Sequence, residues 1–237
     1  MVPGDRGRAA KPDVQLMLRT GFPQSDEDQP DSTIHGICAV IPGINVDTDA
    51  IYPKQFLKTI KRTGLENALF ADQRFDSDGR PQPDFILNRP GFRDAKILIG
   101  EYNFGCGSSR EHAVWALKDF GICALISTQF GSIFHNNCIK NGLWPLTVSQ
   151  HDLDVLIGRY ATEKPNRITV NTDALQIFPG DGTAIRAGLS SSDHAQLKSG
   201  LDEIGLTLQK ADQIAQFETG YVQMFPWLDS AHSRVAE

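Results

Sequence analysis

Between residues 96 and 160 the chain alternates short apolar runs with helical patterns, and this alternation limits the fold more than any other feature. Residues 96–99, 122–127 and 144–148 read as strands, and residues 110–120, 132–141 and 152–160 read as helices. Parallel neighbours need a crossover between them, and a helix is the usual one, so the spacing predicts an α/β layer with parallel strands. A further strand is expected at 34–41, stopped by Pro42-Gly43. After Pro165 the pattern changes. Residues 168–170, 175–178 and 184–187 form short apolar runs joined by tight turns, one of them Pro179-Gly180-Asp181-Gly182. They predict a small antiparallel addition. A last amphipathic helix is expected over 206–217.

The stretch between the first strand and the alternating region is less regular. Residues 45–51 read as a polar loop carrying two carboxylates. Pro53 suits a first helical turn, with Phe56, Leu57 and Ile60 on one face, and residues 65–70 read as a second helical piece. Residues 72–94 hold Pro81, Pro83 and Pro90 and are expected to run over the surface, with a short strand at Phe85-Ile86-Leu87. In this reading residues 1–33 are a flexible extension, residues 34–217 one folded domain, and residues 218–237 a tail whose Tyr221, Phe225 and Trp227 pack on the body or on a partner.

Charge and composition exclude several classes. The net charge of -6 argues against a general nucleic-acid binder. No apolar run approaches the roughly 20 residues that span a bilayer. The four cysteines, Cys38, Cys106, Cys123 and Cys138, are scattered without a C-x-x-C pair and give no metal or cluster ligand set by spacing. The N-terminus lacks the apolar core of a secretory signal, so reduced thiols and a cytoplasmic location are expected.

The chemistry concentrates in Tyr102-Asn103-Phe104-Gly105-Cys106-Gly107-Ser108-Ser109-Arg110-Glu111-His112-Ala113. A strand, a glycine turn and the start of a helix present unpaired N–H groups and the positive end of a helix dipole, which suits an anion such as a carboxylate. Arg110 would grip such a group in bidentate fashion. A dinucleotide fingerprint needs a third small residue where Arg110 stands and an acid ending the next strand; both are missing, and so is a P-loop. Ser108 and Glu111 have capping-box spacing. A helix N-terminus would lower the pKa of Cys106. His112 is expected to pack rather than to act as ligand or base. Asp47-Thr48-Asp49 offers oxygens without the remaining positions of a calcium loop, and Lys61 and Arg62 read as a basic surface.

These residues also carry a resemblance. The segment from Tyr102 to Ala113 resembles the serine–arginine motif of the swivelling domain of the aconitase superfamily. Asn45-Val46-Asp47-Thr48-Asp49-Ala50-Ile51-Tyr52-Pro53-Lys54-Gln55-Phe56-Leu57 is similar to that domain's second active-site loop. Phe130-Gly131-Ser132-Ile133-Phe134-His135-Asn136-Asn137-Cys138 and Lys140-Asn141-Gly142-Leu143 resemble a third segment, and residues 201–208 a fourth. In their order these motifs resemble the 3-isopropylmalate dehydratase small-subunit family. The resemblance implies an α/β fold of the aconitase swivelling β/β/α type, with a mostly parallel central sheet, flanking helices and a small strand-rich addition. It implies a hydro-lyase that interconverts 2- and 3-isopropylmalate through isopropylmaleate in leucine biosynthesis. The partner would be a large subunit that holds a [4Fe–4S] cluster, with no metal bound by this chain. Ser108 would be the base and Asp49 would join it in the catalytic set. Ser109, Arg110, Thr48 and Arg62 would bind substrate, with Lys61 an alternative to Arg62. Thr48 and Asp49 would orient active-site groups, and residues 52–63 would face the variable substrate group. A relative acting on methylmalate, dimethylmalate or homoaconitate, and a stand-alone carboxylate-binding module, remain as alternatives.

Overall fold

The first described strand is the axis of the sheet. In the computed structural model, which describes residues 32–57, 63–180, 182–201, 203–225 and 227, β1 (Thr33–Ile41) lies between β2 (Ala95–Gly100), which is parallel to it, and β5 (Asn166–Asn171), which is antiparallel. The parallel side continues through β3 (Ala124–Ser127) to β4 (Trp144–Thr147). The antiparallel side continues through β6 (Gln176–Phe178) to β7 (Ile185–Arg186). The order across the sheet is β4-β3-β2-β1-β5-β6-β7. The expected parallel layer and antiparallel addition are therefore two halves of one sheet, joined at β1.

Side chains alternate across a strand, so β1 and β2 feed two cores. Ala39, Ile41 and Leu98 face one apolar cluster, which also takes in Phe104, Val114, Leu117 and Phe134. Cys38, Val40, Ile97 and Ile99 face the other, with Leu153, Leu156 and Tyr160. Burial on both faces explains why β2 and β3 read as unbroken apolar runs rather than alternating ones.

The helices named by the sequence are present with small shifts in their ends: α3 (Glu111–Phe120), α4 (Ser132–Lys140) and α5 (Gln150–Tyr160). They follow two helices of a single turn each, α1 (Thr48–Ile51) and α2 (Ala71–Arg74). After the sheet come α6 (Ser191–Ser199), α7 (Glu203–Leu208) and α8 (Ala211–Met224).

Several local expectations are corrected. The short strand expected at Phe85-Ile86-Leu87 is a 3-10 turn, Ile86–Asn88, because its apolar side chains turn inward around buried Leu87. The helical piece at 65–70 is only a 3-10 turn over Glu66–Ala68, ended by Leu69, and Phe70 with a left-handed backbone (φ 51°) is the N-cap of α2. The polar loop at 45–51 contains α1, capped by the Asp47 carboxylate on the Ala50 N–H at 2.6 Å. Pro53 precedes a 3-10 turn, Lys54–Phe56, while Ile60 lies outside the described residues. The single last helix is two, α7 and α8. α6 had no apolar periodicity to announce it, and what marks its start is Ser190, whose hydroxyl accepts from the Asp193 N–H at 3.1 Å. The expected extension, residues 1–33, lies outside the described residues up to residue 31.

Candidate active site

The C-terminal ends of β1, β2 and β3 lie side by side, and in such sheets the loops leaving those ends form the binding crevice. Here the loops are stitched together by backbone hydrogen bonds. Asn45 N donates to Tyr102 O at 2.9 Å and Gly105 N to Val46 O at 2.7 Å. Phe104 N donates to Gln129 O at 3.0 Å, and Gly131 N returns a bond to Phe104 O at 2.9 Å. The approach is close enough to demand glycine. Gly105 has φ +74°, and a Cβ there would collide with the Phe134 ring; one on Gly131 would strike the Gly105 carbonyl. The glycine turn after β2 and the segment after β3 line a cleft of about 350 Å³, with Gly105, Cys106, Gly107, Gln129 and residues 130–134 in its wall.

Thr48 ties the second loop to the glycine turn. Its N–H donates to Cys106 O at 2.9 Å, and its hydroxyl, 1% exposed as a residue, donates to Ser108 O at 2.9 Å. The same Ser108 carbonyl accepts the Arg110 N–H at 2.8 Å. Asp49, one residue on, accepts the Arg110 guanidinium and also the Lys54 N–H at 2.8 Å. The guanidinium hydrogen bond holds the Asp49 carboxyl below the usual carboxylate range. Thr48, Asp49, Ser108 and Arg110, four residues proposed from sequence, are thus directly linked. Ser109 is exposed beside them. Lys61 and Arg62 lie outside the described residues.

Two expectations about the turn are corrected. The capping box between Ser108 and Glu111 does not form: the N-cap of α3 is Arg110, without a side-chain cap. The Ser108 hydroxyl makes no hydrogen bond among the described residues and is exposed. Glu111 turns instead to Asn141, whose Nδ2 donates to Glu111 Oε1 at 2.9 Å. Cys106 is not activated by the helix start. Burial and, after it, the Asp47 carboxylate push its thiol up, and its Sγ–H donates to Asn45 O at 3.3 Å. His112 packs as expected, stacked on Tyr52 with ring centroids 5.7 Å apart and against Trp115 at 4.7 Å. Sequence reasoning did not single out Asn141 as an individual site residue, although it falls in the Lys140-Asn141-Gly142-Leu143 segment.

The donor set does not suit an iron–sulfur cluster. Among the described residues no group of three or more His, Cys, Asp and Glu could hold a metal ion. Cys38 and Cys138 are buried, and burial pushes both thiols up, away from the thiolate that ligation requires. No described helix is long and apolar enough to cross a membrane.

A glycine turn at the end of β2, a threonine–aspartate loop bonded to it, and a mixed sheet around β1 define the class. The aconitase C-terminal domain family matches residues 31–151. The chain belongs, within that class, to the 3-isopropylmalate dehydratase small-subunit family. The 3-isopropylmalate dehydratase small subunit of Sinorhizobium medicae is 50% identical over 192 residues, covering 81% of this chain and 96% of that protein. That of Rhizobium johnstonii is 52% identical over 192 residues, covering 81% and 95%. Residues 203–231 match the family formed by the C-terminal domain of the 3-isopropylmalate dehydratase small subunit. The crystal structure of 3-isopropylmalate dehydratase from Methanocaldococcus jannaschii is similar to this fold, with a TM-score of 0.58 at 25% identity over 78% of this chain and 99% of that one.

Proposed function

We propose that this chain is the small subunit of a 3-isopropylmalate dehydratase, which interconverts 2- and 3-isopropylmalate by loss and return of water in leucine biosynthesis. The observation that carries the reading is the bonded set Thr48, Asp49, Ser108 and Arg110 at the mouth of the β1–β2 loops. In this reading the substrate enters as a dicarboxylate. Arg110 holds one carboxylate through its guanidinium, which Asp49 orients through their ion pair. Ser109, with its exposed hydroxyl, contacts substrate oxygens, and Arg62 is a second cationic contact. Ser108 takes the proton from carbon. A serine hydroxyl is a weak base in water, and its place just before α3 lowers the cost of an alkoxide through the helix dipole. Thr48 fixes the turn that bears it.

The [4Fe–4S] cluster belongs to a large subunit in this reading, where it supplies Lewis acidity toward a substrate hydroxyl. The assembly is cytoplasmic. Exposed apolar side chains flank the site: Ile44 and Tyr102 stand on the loops after β1 and β2 and Ile133 in the first turn of α4, and they are 62%, 47% and 46% exposed. Such a rim suits a protein partner that closes the cleft.

The test is anaerobic mixing of this chain with a cluster-loaded large subunit from the same organism, followed by assay of isopropylmaleate formation from 3-isopropylmalate. Activity requiring both chains is the expected result. Assembly without activity on 3-isopropylmalate, but with activity on another substituted malate, would replace the substrate. No assembly would refute the subunit reading.

A further inference from the structure

Glu111 has the spacing to reach back and close a capping box on Ser108, yet its carboxylate is held elsewhere. Asn141, the residue that ends α4, donates from Nδ2 to Glu111 Oε1 at 2.9 Å and to Asn137 O at 2.8 Å. Its Oδ1 accepts the Trp115 Nε1–H at 3.0 Å. Indole nitrogen only donates, so this bond fixes which way the amide faces, and Asn141 presents an N–H to Glu111. The amide's two N–H groups and its oxygen are all engaged. Lys118 adds a bond from its ammonium to the Asn141 carbonyl. The residue is thus a rigid clamp between the first turn of α3 and the end of α4.

We propose that Asn141 is a positioning residue for the dehydratase reaction: by holding the Glu111 carboxylate it keeps the capping box open and leaves the Ser108 hydroxyl to the substrate. The inference rests on the hydro-lyase reading. In a closed box the Ser108 oxygen would accept the Glu111 N–H, and the Glu111 carboxylate would bond the Ser108 N–H. The oxygen lone pair needed for proton transfer would be engaged, and α3 would start earlier than Glu111. The observed arrangement, with Arg110 as an uncapped N-cap, is what diversion of Glu111 produces.

The test uses the assembled two-subunit enzyme with Asn141→Asp, Glu111→Ala and the double variant. An aspartate at 141 turns a carboxylate oxygen toward Glu111 and releases it. The closed box is then favoured, and kcat falls about tenfold with KM nearly unchanged. Glu111→Ala keeps the backbone N–H at 111 but removes the carboxylate that completes and stabilises the box, so it retains near-normal kcat and restores the double variant to within about threefold of wild type. A clamp that merely held the helices would predict the reverse: Glu111→Ala as damaging as Asn141→Asp, and no restoration. That pattern, or an unaffected Asn141→Asp enzyme, would overturn the proposal. Asn141→Ala gives the same release without added charge if Asn141→Asp does not assemble. A crystal structure of the Asn141→Asp complex supplies a readout independent of turnover. A closed Ser108–Glu111 box supports the proposal and an open one refutes it, whereas a wild-type complex inactive on 3-isopropylmalate counts against the substrate reading alone.

Discussion

Replacing Thr48 with valine isolates one hydrogen bond at the centre of the site. Valine fills nearly the same volume at a position that is 1% exposed, and the backbone bonds of residue 48 to Cys106 and Tyr52 do not involve the side chain. What disappears is the hydroxyl bond to Ser108 O at 2.9 Å. That carbonyl keeps its second partner, the Arg110 N–H at 2.8 Å, so no buried acceptor is orphaned. The loss is therefore the net value of one hydrogen bond, about 1 kcal/mol, rather than the larger desolvation penalty of an abandoned group. For a chain of this size this corresponds to a Tm lower by roughly 2–4 °C. If the tether serves to hold Ser108 where it takes the proton, the same energy appears in the transition state and kcat falls about fivefold. KM stays close to wild type, because Arg110 and its Asp49 partner are untouched. Steady-state kinetics of the two-subunit enzyme and a thermal melt of the same sample measure both. A lowered Tm with unchanged kcat would refute the positioning argument. A loss of kcat far beyond tenfold would show that the turn rearranges rather than loosens.

Three further outcomes are expected. Ser108→Ala removes the proposed base from an exposed turn, so turnover is abolished while co-purification with the large subunit is retained; near-normal turnover would eliminate Ser108 as the base. Arg110→Lys keeps the charge and loses the planar fork, which raises KM for a dicarboxylate roughly tenfold or more; an unchanged KM would argue against a carboxylate grip. Asp49 has a folded-state pKa lowered chiefly by Arg110, so its stabilising contribution is present above the unfolded value of about 3.9 and is lost as pH falls through the lower folded value. Asp49→Asn should therefore lower Tm at neutral pH, with the difference from wild type closing only below about pH 4. A constant difference across that range would mean the carboxylate charge is not the source.

The alternating region was legible because its signals are local and strong. Strands β2 to β4 are apolar runs bounded by turns, and α3 to α5 carry amphipathic faces, so period and length decide them. The single-turn elements were not. Phe85-Ile86-Leu87 has strand composition, yet buried Leu87 is reached by a 3-10 turn that only the tertiary core selects. α6 has almost no apolar face, and its cap is a serine among serines. At the site, the residue types in the glycine turn and in Asp47-Thr48-Asp49 announced their chemistry. The Asp49–Arg110 pair joins residues far apart in sequence and could be seen only once the loops met. The capping box was misread for the same reason. Spacing alone favours Ser108 with Glu111, and the competitor that wins, Asn141, comes from another helix.

The central place of β1 has a consequence for how the chain is made. It is the first described strand to leave the ribosome, yet its parallel partner spans residues 95–100 and its antiparallel partner residues 166–171. Thr33 pairs with Asn171, so one edge of the strand stays open until most of the protein has been synthesised. Pairing over such separations is slow, and an apolar strand such as Ile37-Cys38-Ala39-Val40-Ile41 is a template for other chains while it waits. Yield on expression then depends on protecting this one edge, as a chaperone does, until residues 166–171 have been made.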